Sequence, residues 1–166
     1  MVVAAWADHH EELYAFLVRT TRSPEAAEDL LQEAFLRLTR EARAGRAPDN
    51  VRAWLYRVAA NLAVSRGRRL QSALRWLTGA GARAARPGVD QAPEATYLAR
   101  ESRAELVGAL DVLGTDARSA LLLASEGFTG LEIAAAIGRS GAATRTMMSR
   151  ARLRLRETLD PAEDVR

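Results

Sequence analysis

Residues 129–157 read TGLEIAAAIGRSGAATRTMMSRARLRLRE, and no other stretch limits the fold as tightly. Thr129 and Glu132 stand three apart, the spacing of a capping box. Ile133, Ala134 and Ile137 follow at helical spacing, and Gly138 suits the positive φ of a tight turn. Ser140 then offers an N-cap for a second helix. At helical periodicity, Thr144, Met148, Ala151 and Leu155 form its packing stripe, while Ala142, Arg145, Thr146, Ser149 and Arg150 point outward. This is helix-turn-helix grammar. Small residues at the start of the second helix permit close approach to a major groove, and the arginines beyond can clamp phosphates. A solvated basic face is the plainer alternative. The capping box and glycine turn weigh against it, and the narrow apolar side argues against a membrane-surface helix.

The same period recurs along the chain, and strand alternation does not. Asp8 and Glu11 resemble an acidic capping box before LYAFLV, where Leu13, Phe16 and Leu17 share a face. SPEAAEDLLQEAFLRL opens with Ser23 as N-cap and Pro24 at the first helical position. Asn50 can cap VRAWLYRVAANLAV, whose Leu55, Val58, Ala59 and Leu62 form one stripe. After Ser65 the chain turns to Arg, Gly, Ala and Pro, with LQSALRWL briefly amphipathic. This reads as a flexible tether with one short helix. Regularity returns near Pro93, with helices through RAELVGALDVL and DARSALLLASE. The expected fold is all-α: two small helical bundles joined by a flexible linker, the C-terminal one containing the helix-turn-helix. The boundaries fall at 1–66, 67–93, 94–159 and a tail at 160–166.

Aromatic residues make up only 5% of the chain, so the core must be built of Leu, Ala and Val. There is no cysteine, which excludes disulfides, thiolate metal sites and cysteine nucleophiles. No apolar span of membrane length or secretory segment is present, and a soluble cytoplasmic protein is expected. The net charge is only +3, but its distribution is uneven. Residues 66–105 and 138–159 are strongly basic, the segment between them is acidic, and all the positive charge is arginine. Arginine suits bidentate recognition of phosphate and guanine.

Two further groupings stand out. Asp29, Gln32, Glu33 and Leu36 line one face of a helix, opposite Leu31, Ala34, Phe35 and Leu38. A polar ridge with a leucine on it suits protein docking, or is simply a solvated face. Trp54, Arg57 and Asn61 lie on one flank of the next helix, where an indole, a guanidinium and an amide can stack on bases and read their edges. A tryptophan at helical spacing is also a common core residue. His9 and His10 are adjacent and face different ways, a poor metal pair suited to surface or capping roles. No paired carboxylates, nucleophile–base pair or phosphate loop is visible, and no metal or cofactor is expected.

In order, these segments resemble the extracytoplasmic-function (ECF) sigma factors, two-domain bacterial transcription initiation factors. DLLQEAFLRL matches that family's D-x-x-Q-E-x-F helix, and WLYRVAANLAVSRGRR its W-L-Y-x-I-A-x-N segment. LGTDARSALLLASEGFTGLEIAAAIGRSGAATRTMMSRARLRLRE matches its C-terminal domain. The chain departs from the pattern at Ser65, Gly114, Arg139, Thr144 and Met147, and Met147 is the position expected to set its promoter apart.

The resemblance implies a non-enzymatic protein that binds core RNA polymerase (β′ and β subunits) and promoter DNA, with an anti-sigma factor as a further partner. Membrane contact would come only through that anti-sigma factor. Asp29, Gln32, Glu33 and Leu36 would dock on polymerase. Arg46, Asn50, Arg52, Trp54, Arg57, Asn61, Arg66, Arg68 and Arg69 would bind the minus-ten element. Ser140, Ala142, Arg145, Thr146, Ser149, Arg150 and Arg152 would bind the minus-thirty-five element. A stand-alone dimeric helix-turn-helix regulator is the alternative.

Overall fold

The computed structural model describes residues 1–78 and 108–159, and every ordered element in them is helical. Helix α1 spans Val2–Thr21, α2 Pro24–Arg43 and α3 Val51–Thr78. After a helical turn at 108–110 come α4 (Thr115–Ser125), α5 (Gly130–Ile137) and α6 (Gly141–Leu159). The all-α expectation is borne out. The expected linker beyond Thr78, most of the helix through RAELVGALDVL and the tail lie outside the described residues.

Local signals set most of the boundaries. The Ser23 side chain accepts from the Ala26 N–H, with Pro24 opening α2. Asn50 Oδ1 accepts from the Ala53 N–H at 2.9 Å and starts α3. Thr129 and Glu132 close a reciprocal capping box on α5, Gly138 ends it at φ 64°, and Ser140 Oγ accepts from the Ala143 N–H.

Two boundaries differ from expectation. α1 begins at Val2, so Asp8 and Glu11 lie inside the helix and cap nothing. The alanine-rich start carries a helical face of its own, with Ala5 buried and the Trp6 ring edge-on to Phe35 at 4.8 Å. α3 continues past residue 66 to Thr78, so the first part of the expected linker is helix. Its residues there are mostly good helix formers, and one glycine, costing about 1 kcal/mol against alanine, does not break the run.

α1, α2 and the first half of α3 pack their predicted stripes together. Leu13, Phe16, Leu17, Ala34, Leu38, Leu55 and Ala59 are fully excluded from solvent. α4, α5 and α6 form a second trihelical layer around Leu123, Ile133, Ile137, Met148 and Ala151. α4 and α5 also pack on α3, and α4 on α1, so one hydrophobic core runs through both layers.

Arg118 is the principal polar joint, only 6% exposed. It donates to the carbonyls of Thr20 (2.8 Å), Leu110 (3.1 Å) and Leu113 (2.7 Å). The Thr20 carbonyl lies in the last turn of α1, where the helix dipole favours a cation. Burial pushes the Arg118 guanidinium down to about 10, with Arg22 nearby adding to the effect, so it stays charged at neutral pH.

Candidate nucleic-acid interface

Three exposed surfaces carry the residues singled out by sequence. On α2, the buried row of Leu31, Ala34, Phe35 and Leu38 turns the opposite face outward, leaving Asp29, Gln32 and Leu36 exposed and Glu33 half-buried. Leu36 keeps 51% of its surface in the middle of α2. Arg37 donates to Glu33 at 2.8 Å, and that hydrogen bond holds the Glu33 carboxyl below the ordinary carboxylate value. Beside this ridge a cleft between α1 and α2 is lined by Trp6, His10, Tyr14, Leu31 and Gln32. His10 stacks on Trp6 and hydrogen-bonds its carbonyl, while His9 pairs with Glu12.

The flank of α3 divides in two. Arg57 and Asn61 are exposed, and Trp54 is half-buried, leaning on the core from the same flank. Arg46 and Asn50 stand at the loop before the helix, Arg46 paired with Glu41 and Asn50 occupied as the cap. Arg66 and Arg69 continue the basic run, Arg69 donating to the Ser65 carbonyl. Arg52 and Arg68 are engaged elsewhere. Arg52 bridges Glu12 (3.1 Å) and Glu126 (2.6 Å) and lies over the Tyr56 ring at 4.7 Å. Burial, reinforced by the carboxylates of Glu126 and Glu12, pushes the Tyr56 phenol up to about 12, so it stays neutral beside them. Arg68 donates to Asp116 (2.9 Å) and to the Ile137 carbonyl (2.7 Å).

The helix-turn-helix is formed by α5 and α6. Thr144, Met148 and Ala151 are buried, and Ser140, Ala142, Arg145, Thr146, Ser149, Arg150 and Arg152 are all exposed. A shallow concavity beyond the first turns is lined by Ser149, Arg150, Arg152, Leu153 and Arg156. The α6 surface therefore begins small and neutral and ends in guanidinium groups, as groove contact followed by phosphate contact requires. Met147 is half-buried and packs against the core, so it is less available to DNA than its position suggests. Arg139 forks onto Asp116 at 2.6 and 2.9 Å, which gives a basic residue at the turn a structural partner.

Sequence reasoning missed the residues that join the layers: Arg118, the Arg22–Asp111 pair, and the carboxylates Glu12, Glu126 and Asp116. One signal was available, an arginine between Ala117 and Ser119 on a helix otherwise rich in leucine and alanine. Among the described residues, no group of His, Asp and Glu could hold a metal ion, and no helix is long and apolar enough to cross a membrane.

Residues 5–73 match the family model of sigma-70 region 2. The RNA polymerase sigma factor CarQ of Myxococcus xanthus is 35% identical over 95% of this chain and 88% of its own length. The ECF RNA polymerase sigma factor SigE of Mycolicibacterium smegmatis is 31% identical over 91% of this chain, which spans 58% of that relative's length. The probable sigma factor RfaY of Xanthomonas campestris is 35% identical over 87% of the chain and 37% of its own length. Among solved structures, the sigma factor RpoE of Bartonella quintana, crystallised with the anti-sigma factor NepR, shares the fold. That match has a TM-score of 0.65 over 95% of this chain and 96% of that one, at 23% identity. With its three motif-bearing helices in order and a relative matched along nearly its whole length, the chain belongs to the RNA polymerase sigma factors of the ECF kind.

Proposed function

We propose that this chain binds core RNA polymerase as its sigma subunit in the cytoplasm and directs promoter recognition, strand opening and transcription initiation, without catalysing a reaction itself. The observation that carries this reading is the separation of three exposed surfaces on one helical frame: the α2 ridge, the α3 flank and the outer face of α6.

Each surface has a distinct task. Asp29, Gln32, Glu33 and Leu36 dock on the polymerase β′ subunit, a leucine in a polar ring being the usual composition of a protein contact. Trp54, Arg57 and Asn61, with Arg46, Asn50, Arg66 and Arg69 around them, hold unpaired bases of the minus-ten strand. Extruding a base costs a few kcal/mol, and stacking returns about 1–3 kcal/mol per base. Ser140, Ala142, Arg145, Thr146, Ser149, Arg150 and Arg152 read the minus-thirty-five duplex. Each DNA surface is small, so neither binds tightly alone, and mounting both on polymerase raises the effective concentration of the second for its element. An anti-sigma factor, as in the RpoE–NepR complex, is the regulatory partner this membership brings with it.

Retention of core polymerase on the immobilised protein, followed by run-off transcription, tests the proposal. Gln32→Ala is expected to lower retention about tenfold, roughly 1.4 kcal/mol, without changing helix content. A stable dimer that binds a palindromic operator tightly and retains no polymerase would instead establish the stand-alone regulator.

A further inference from the structure

Met147 packs against the core, which leaves the first two turns of α6 without an exposed bulky apolar side chain. Leu131 stands beside that end of the helix. It is the second residue of α5 and keeps 79% of its surface, while Ile133, Ala134 and Ile137 on the same helix are buried. Its side chain lies against the start of α6: a Cβ on Gly141 would meet Leu131 Cδ2 at 3.8 Å, an ordinary van der Waals distance. Leu131 therefore shares the entry end of α6 with Ser140 and Ala142, both exposed and both assigned above to the duplex. We propose that Leu131 reads the C5-methyl group of a thymine in the minus-thirty-five element and so fixes one position of this chain's promoter. The inference rests on the reading role given to α6 under the proposed function.

Placement gives the first reason. A single exposed leucine is ordinary on a protein surface. This one sits where the two helices of the motif meet, and the first helix of such a motif crosses the DNA backbone while the second enters the groove. Ser140, Gly141 and Ala142 are small, so the entry end can come close to the base edges. The two charged side chains nearest in sequence are engaged within the protein. Arg139 forks onto Asp116, and the Glu132 carboxylate accepts from the Thr129 backbone and hydroxyl. The leucine is the bulky group left facing outward at this end.

Chemistry gives the second. In the major groove the thymine C5-methyl is the apolar group that a base pair presents, and the remaining edge atoms are donors and acceptors. A leucine side chain gains contact from that methyl. Set against the N4 amine of cytosine or the N6 amine of adenine, it removes water and returns no hydrogen bond. Both effects favour thymine. Burying one methyl group corresponds to about fourfold in binding.

Uracil interference measures this contact directly, because deoxyuridine differs from thymidine only by the methyl group. Holoenzyme first selects promoters from a random-sequence pool, and a selected duplex is then prepared with uracil scattered in place of thymine. Bound duplexes are expected to be depleted about fourfold in uracil at one thymine of the minus-thirty-five element. Leu131→Ala should abolish the depletion there and leave the pattern at the minus-ten element unchanged. Leu131→Met, which keeps an apolar side chain of similar reach, should retain it. Circular dichroism of both variants should match the unsubstituted protein, since the site is exposed. Absence of upstream depletion with the unsubstituted protein, or the same depletion with Leu131→Ala, overturns the proposal.

A second selection, made with Leu131→Glu, tests specificity as opposed to affinity. A carboxylate accepts from the cytosine N4 amine, so the selected base at that position should move away from thymine. Persistence of the same thymine would also overturn the proposal. Two other failures point elsewhere. Selected promoters that share a minus-ten sequence and no upstream element would remove the reading role of α6, and this inference with it. A protein that retains no core polymerase would instead count against the sigma function.

Discussion

Arg118 shows what one side chain contributes here. Its fork meets three carbonyls from two chain segments, the end of α1 and residues 110–113, a task a lysine ammonium cannot perform from one position. Arg118→Met is expected to destabilise the protein by at least about 2 kcal/mol, because buried acceptors lose their donor. Arg118→Lys should recover little of that, and urea unfolding of both variants would show it. Gly138 is a smaller case of the same kind. At φ 64°, with a Cβ there meeting only Arg68 Nη1 at an ordinary contact distance of 3.8 Å, Gly138→Ala should cost about 1 kcal/mol, chiefly from backbone strain, with the fold intact by circular dichroism. The glycine was legible in the sequence because turn chemistry is local. The arginine's role was not, since its most distant acceptor lies 98 residues away, where no spacing rule reaches.

Helices carry both the legible and the hidden parts of the site. Capping and stripes predicted α2, the start of α3, and α5 and α6, because those signals depend on neighbours within one turn. The N-terminus of α1 was misplaced because two acidic residues resembled a cap inside a helix that needed none. In α5 the Thr129 backbone N–H and hydroxyl hold the Glu132 carboxyl below its ordinary value. A carboxyl depressed in the folded state stabilises above the unfolded value and loses that contribution as pH falls through the folded one. Unfolding free energy should therefore show a Glu132 component that is flat above about pH 5 and shrinks in more acid solution. Thr129→Ala should cost about 1 kcal/mol at neutral pH and remove most of that acid dependence. On α6, Arg152 lies exposed past the neutral turns, and in the proposed function it contacts phosphate. Arg152→Ala in the polymerase complex should weaken DNA binding about equally across promoter sequences, lowering the salt slope by about 1.

At the scale of the molecule, sequence patterning suggested two bundles on a tether, while the structure threads one core through both layers. The patterning resolves which face of each helix is buried and leaves open what buries it. Leu62, Val64 and Leu113 would suit either an isolated bundle or a shared interface, and only the assembled helices distinguish the two. A shared core predicts that scanning calorimetry of the free protein at low salt gives a single cooperative transition for both layers. Gly67→Val, which drives a branched side chain into Thr115, should split that transition or lower its midpoint. The exposed arginine–carboxylate joints should loosen as salt rises, while the buried Arg118 joint should change little.

The 28 residues of α3 form a single rod of about 42 Å, with a tryptophan at each end of its functional span, half-buried Trp54 and exposed Trp76. A rod of that kind has a phase as well as a length. Removing one residue between Arg69 and Thr78 would rotate everything beyond it by about 100°, whereas removing four would nearly restore the original facing at the cost of about 6 Å. Deletions there should be tolerated by remainder rather than by size. The direction in which the chain leaves its first three helices is thus written in the count of residues before Thr78, a property that no single substitution can alter.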